Sequence, residues 1–142
     1  MTKIKLLDLC CGAGDCSVGY KQAAEELGID IEIVGVDLVE QPNYPFKFIR
    51  GDALEFLITD GGAFSHIHAS PPCQEYSAMS NCSKGNGKIY KSNLPEIKNA
   101  MYAIDGVPGV IENVPVSPLR KDIQLSGNMF GLGLSGIGYS RP

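Results

Sequence analysis

A cysteine directly follows two prolines in Ser70-Pro71-Pro72-Cys73-Gln74, and a glutamate closes an apolar run in Val110-Ile111-Glu112-Asn113-Val114. Each proline ring locks its own backbone dihedral, so a proline pair holds the next side chain in one place. A thiol held this way where a strand ends faces a cleft rather than a core, and it suggests nucleophilic attack on a ring carbon. A carboxyl beside it, if buried, is pushed toward its protonated form and can donate a proton to the ring. The plainer readings are an inert loop cysteine and a carboxylate hydrogen-bonded at a strand end.

A second constellation lies nearer the start of the chain. In Cys11-Gly12-Ala13-Gly14-Asp15 the glycines let a backbone approach a ligand where a side chain would clash. Asp37 lies 23 residues beyond Gly14, a spacing at which an acid typically accepts from ribose hydroxyls. The same residues also fit a tight turn with an unrelated surface acid. Asp8 and Asp15 would repel a phosphate but suit a nucleoside carrying a positive sulfonium, which favours S-adenosylmethionine over NAD. Asp52 could accept from an adenine amino group, cap the following helix, or both. Cys10, Cys11 and Cys16 have no Cys-x-x-Cys spacing and no nearby histidine partner, so they read as small buried hydrophobes and no metal site is expected. His66 and His68 share one strand face by alternation and read as packing or surface residues.

The elements that must position these groups alternate. Apolar runs predict strands over 5–10, 31–38, 46–50, 64–70 and 110–112. Helices are predicted from a cap at Asp15 or Ser17 to about Leu27 with Gly28 as its stop, over 53–58, and after a cap at Asn93 with Leu94, Ile97, Met101 and Ile104 inward. Past Asn113 the chain is rich in glycine, proline and serine, and no element is placed there. Such alternation means a mostly parallel sheet, whose ligands sit at the carboxyl ends of the strands. Asp8, Asp37, Asp52, Cys73 and Glu112 all fall at such ends.

A chain of 142 residues, 44% hydrophobic and 20% charged, makes a single domain over 1–142 with a true core. No apolar run approaches the roughly 20 residues that span a bilayer. Met1-Thr2-Lys3-Ile4 leads straight into a strand, so no signal peptide is expected and the cytoplasm is the default, or a host cytoplasm for a phage gene. Five cysteines, an odd number, argue for thiols over a disulfide framework. The net charge of −4 counts against a nucleic-acid partner. Lys84, Lys88, Lys91 and Lys98 against Glu96 nevertheless form a local basic cluster, either a solvated loop or a phosphate-facing patch.

Asp8 to Gly14, Ser70 to Gln74 and Ile111 to Val114 resemble three sequential motifs of the cytosine-5 DNA methyltransferases, with Asp37 and Gly51-Asp52 resembling two intermediate ones. Gln41 to Phe46 and Leu125 to Leu132 are most similar to the small phage-type members, familiar from restriction-modification. The resemblance implies an α/β, Rossmann-like S-adenosylmethionine-dependent fold. It implies methyl transfer to carbon 5 of a cytosine flipped from DNA, through a covalent cysteine adduct at carbon 6. Carried over by position, Cys73 is the nucleophile and Glu112 the ring-nitrogen partner. Gly12, Gly14, Asp37 and Asp52 line the cofactor, Pro72 lies near its methyl group, and 76–91 form a mobile loop closing on DNA. Two departures stand out. Cys10 occupies a usual aromatic position, and the arginine-bearing motif expected after Gly131-Leu132 is not visible, although Arg141 could begin it. The chain therefore reads as a catalytic domain lacking the final strands and the target-recognition domain, its gap filled by a partner chain or a missing C-terminal segment. RNA cytosine methylation and a catalytically silent cofactor-binding subunit are the alternatives.

Overall fold

The computed structural model describes residues 3–77 and 91–130. Most of the 76–91 loop, with Lys84 and Lys88, lies outside the described residues, as does Arg141. Among the described residues five strands are formed: β1 (Ile4–Leu9), β2 (Ile31–Asp37), β3 (Lys47–Arg50), β4 (His66–Ala69) and β5 (Gly109–Ile111). Three α-helices accompany them among the same residues: α1 (Asp15–Glu26), α2 (Ala53–Asp60) and α3 (Leu94–Ala103). All pairings are parallel and the order is β3-β2-β1-β4-β5. Since β1 pairs with both β2 and β4, the order reverses between β1 and β4. In open α/β sheets that reversal opens a crevice beyond the carboxyl ends of the strands.

The periodicity of the strands explains the two faces. Leu7 and Leu9 of β1, Val36 of β2 and Ile67 and Ala69 of β4 alternate onto one face, packed against Ala53 and Leu57 of α2 and Ile97 of α3. The other face carries the polar residues Asp8 and His68, both buried and both bonded to side chains of α1. Helix α1 ends as its sequence dictates. Gly28 takes φ +67° and the chain turns back, with its N–H donating to Glu25 O at 3.1 Å.

The helix starts depart from expectation. The cap position of α1 is Gly14, with no side-chain cap bond, and Ser17 lies inside the helix with its hydroxyl turned to Asp8. At α3, Asn93 makes no cap bond, and the Ser92 hydroxyl accepts from Leu94 N at 3.2 Å instead. At α1 the buried Asp8 takes the short polar side chain that local pattern assigns to the cap, whereas Asn93 Oδ1 is buried with no hydrogen-bond partner among the described residues.

Between β2 and β3 only residues 38–46 make the crossover, and no helix forms there. Parallel connections ordinarily need a dozen or more residues. Tyr44 fills the place a crossover helix would cover. Its ring is buried, lies 5.8 Å from that of Phe48 and 6.0 Å from that of Phe46, and presses onto Gly14 and Gly35. A Cβ on Gly35 would overlap the Tyr44 ring, and one on Gly14 would lie 2.8 Å from Tyr44 Cδ2. We expect Gly35→Ala to cost about 1–3 kcal/mol, because the ring cannot retreat without breaking its hydrogen bond to Ser17. Equal unfolding midpoints in urea for variant and wild type would show that Tyr44 yields freely.

Candidate active site at the strand carboxyl ends

The turn after β1 is built around reversed backbone. Cys10 takes φ +58°, Gly12 φ +50° and Gly14 φ +95°. A left-handed conformation at a non-glycine residue is uncommon, and it marks a backbone held by its surroundings. Here the surroundings are identifiable. Cys11 N donates to Val36 O at 3.2 Å, Gly14 N to Cys11 O at 3.0 Å, and Gly12 N to Asp37 Oδ2 at 3.0 Å. Asp37 Oδ1 accepts from Val39 N at 3.0 Å. The two glycines therefore differ in role. Gly14 is buried beneath Tyr44 and Pro45, whereas open space lies beside the Cβ position of Gly12. The open side of the turn is at Gly12, and Gly14 makes room for Tyr44.

Asp37 ends β2, and each of its oxygens holds one backbone N–H. Each keeps a further lone pair for a hydroxyl donor. Leu38 and Val39 follow it with 66% and 64% of their surfaces exposed, an apolar shelf that sequence reasoning passed over. Asp52, just past β3, caps α2 through Glu55 N at 2.9 Å to Oδ1. Its helix-capping reading is thus realised, and no described residue bonds Oδ2.

Beneath the turn, Tyr44 and Ser17 are 2.7 Å apart between hydroxyls, and Ser17 donates onward to Asp8 Oδ2. Ser17 has one proton, given to Asp8, so Tyr44 is the donor to Ser17. Asp8 is fully buried and its Oδ1 has no hydrogen-bond partner among the described residues. Burial raises the Asp8 carboxyl above its ordinary 3.8, against the opposing bond from Ser17. A carboxyl with a higher value folded than unfolded stabilises the fold below about 3.8, and that contribution is lost as pH rises through the raised value. Asp8→Asn removes the titration while keeping an acceptor for Ser17. Melting temperatures measured from pH 4 to pH 8 should therefore favour the variant increasingly as pH rises; parallel curves would remove Asp8 from the account.

The Cys73 loop is strapped at every step. Ser70 N donates to Leu9 O at 3.1 Å, Asn113 Nδ2 to Pro71 O at 2.9 Å, and the Ser92 hydroxyl to Pro72 O at 3.0 Å. Glu75 Oε2 in turn accepts from Ser92 N at 2.7 Å. Cys73 O accepts from Tyr76 N and Ser77 N, both at 2.9 Å. Cys73 itself is half-buried and Pro72 exposed. Ser92 and Asn113 thus fix a backbone that the prolines alone leave free at its carbonyls. Ser92 did not stand out in the sequence, and Asn113 stood there only within the Ile111–Val114 motif with no role of its own; their spatial closeness to the proline pair reveals both as straps.

Glu112 follows β5, its N–H donating to Ala69 O at 3.0 Å, which places it one strand over from the Ser70–Cys73 loop. Its side chain is exposed, so the burial expected from the apolar run before it is not present in this chain alone. β5 is the edge strand of the described sheet, with no further strand to cover its end. The other described cysteines are poor nucleophiles. Burial and nearby carboxylates push the Cys10 and Cys11 thiols up to about 12, and the Cys16 thiol to about 11.

The chain is 31% identical over 117 residues to the type II methyltransferase M.HgiCI of Herpetosiphon aurantiacus, and this match covers 78% of the chain. Over that stretch the chain is similar to a type II methyltransferase. It spans 27% of the length of that relative. No protein-family model matches the chain. The parallel α/β sheet with a glycine turn after its first strand is consistent with the Rossmann-like fold of a methyltransferase. Among the described residues, no helix is long and apolar enough to cross a membrane.

Proposed function

We propose that the chain transfers a methyl group from S-adenosylmethionine to carbon 5 of cytosine in DNA, with Cys73 as nucleophile. The observation that carries this reading is the strapped Ser70-Pro71-Pro72-Cys73 loop, on the same rim of the sheet as the Asp37-braced glycine turn. The residues at that turn fit the cofactor. Gly12 offers an open approach, Asp37 keeps free lone pairs for ribose hydroxyls, and Asp8 Oδ1 is a buried acceptor with no donor among the described residues, suited to a cationic ligand. Gly14 shapes the turn, Asp52 would accept from the adenine amino group, and Pro72 would lie near the methyl group. When bound, the cofactor supplies an electrophilic methyl group on sulfonium.

The roles of the chain's own residues follow from the chemistry of the ring. Carbon 5 of cytosine is too weak a nucleophile to take a methyl group unaided. Addition of the Cys73 thiolate to carbon 6 makes the ring an enamine, nucleophilic at carbon 5. Glu112 donates to ring nitrogen 3 as charge develops there. After transfer, loss of the carbon 5 proton expels the thiolate and restores the ring. DNA, or protein beyond this chain, would enclose Glu112 beside the ring. A flipped base is required, because carbon 6 is out of reach within the stack.

The test is transfer of label from methyl-labelled cofactor to mixed DNA, followed by nucleoside analysis. Label in 5-methylcytosine supports the proposal. Label in transfer RNA alone would establish RNA as the substrate. Cofactor binding without transfer to any nucleic acid would mark the chain as a silent subunit.

A further inference from the structure

His68 is a polar residue lying between the buried apolar Ile67 and Ala69 of β4, and it is only 3% exposed. Such a group is tolerated when hydrogen-bonded. Its ring is bonded on both sides. Nδ1 lies 3.1 Å from the Tyr20 hydroxyl, and Nε2 lies 2.9 Å from the Ser70 hydroxyl and 3.3 Å from Cys16 Sγ. The Tyr20 ring also meets the imidazole edge-on at 5.5 Å between centroids. A neutral imidazole has one donor and one acceptor, and both nitrogens have partners in either tautomer. These partners belong to two functional parts of the molecule. Cys16 and Tyr20 are on α1, whose first turn grows out of the glycine turn. Ser70 opens the loop that carries Cys73.

The straps at Pro71 and Pro72 come from the far side of the loop, from Asn113 and Ser92. His68 supplies the side-chain link between that loop and the cofactor turn. We infer that His68 is a positioning residue that couples occupation of the glycine turn to the placement of Cys73. This rests on reading the turn as the cofactor site and Cys73 as the nucleophile. A shift of the first turn of α1 on ligand binding moves Cys16, moves the imidazole with it, and moves Ser70 in turn.

The experiment is alkylation of Cys73 by iodoacetamide, followed by peptide mass mapping, with and without saturating S-adenosylhomocysteine. In the full chain the ligand should change the Cys73 rate by about fivefold, the lower end of common coupling between sites. In His68→Phe, which keeps a ring but no hydrogen bonds, calorimetry should show the ligand still bound while its effect on Cys73 disappears. His68→Gln, which can still donate and accept, should restore part of the effect. Should His68→Phe fail to fold, Ser70→Ala cuts the same link from the other end. A ligand effect equal in wild type and variants would overturn the inference, as would none in a wild type that binds the ligand. A wild type that does not bind S-adenosylhomocysteine would instead overturn the cofactor reading, and this inference with it.

Discussion

Cys73→Ser should abolish methyl transfer while the affinity for S-adenosylmethionine stays within about twofold of wild type, far inside the tenfold that 1.4 kcal/mol represents. A serine hydroxyl is nearly isosteric with the thiol but is essentially un-ionised at neutral pH, so it cannot add to carbon 6 unaided. The loop should keep its shape, because the straps from Asn113 and Ser92 bond to the Pro71 and Pro72 carbonyls rather than to the Cys73 side chain. No other described cysteine can stand in. The Cys10 and Cys11 thiols titrate at about 12 and Cys16 at about 11, leaving almost no thiolate at neutral pH. Transfer surviving in the serine variant would mean that a different group attacks. Calorimetry on the same preparation separates that result from a damaged cofactor site.

The next largest effect should come from Asp37. Asp37→Ala is expected to weaken cofactor binding by about 1–3 kcal/mol, the usual loss when charge-assisted hydrogen bonds are removed. The structure adds a second route to the same loss. Asp37 also holds Gly12 N and Val39 N, so its removal frees the glycine turn along with the ribose acceptor. Asp37→Asn keeps an acceptor oxygen for one of those N–H groups and should fall between alanine and wild type. A dissociation constant unchanged in the alanine variant would exclude Asp37 from the site.

Much of the architecture was legible in the sequence because it follows from one-dimensional signals. Apolar runs of the right length marked all five strands, and the stop of α1 at Gly28 needed only a residue that accepts positive φ. The strand alternation placed Asp37, Asp52, Cys73 and Glu112 at carboxyl ends, where the parallel sheet puts them. What the sequence hid depends on tertiary partners. Ser17 looked like a helix cap until Asp8 claimed its hydroxyl, and Asn93 holds the cap position while Ser92 supplies the bond to Leu94 N. Tyr44 as a plug over Gly35 could not be inferred, since nothing local says that the crossover from β2 lacks a helix. Glu112 follows an apolar strand and so looked buried, yet β5 is the edge strand of the described sheet and leaves it exposed. His68 was legible as a residue but not as a link, because Tyr20, Cys16 and Ser70 meet it only in three dimensions.

Exposure at Glu112 bears on the chain's reach as an enzyme. With a net charge of −4, intrinsic affinity for DNA should be weak and fall steeply with salt. The most direct test of the central claim should therefore not depend on turnover. A duplex carrying 5-fluorocytosine, supplied with S-adenosylmethionine and excess protein, blocks loss of the carbon 5 substituent and so retains any covalent adduct. The account predicts a denaturation-resistant protein–DNA species whose cross-link maps to Cys73 and which is absent from Cys73→Ser. Methyl transfer to an exocyclic amino nitrogen without an adduct, or an adduct mapping to another residue, would contradict it.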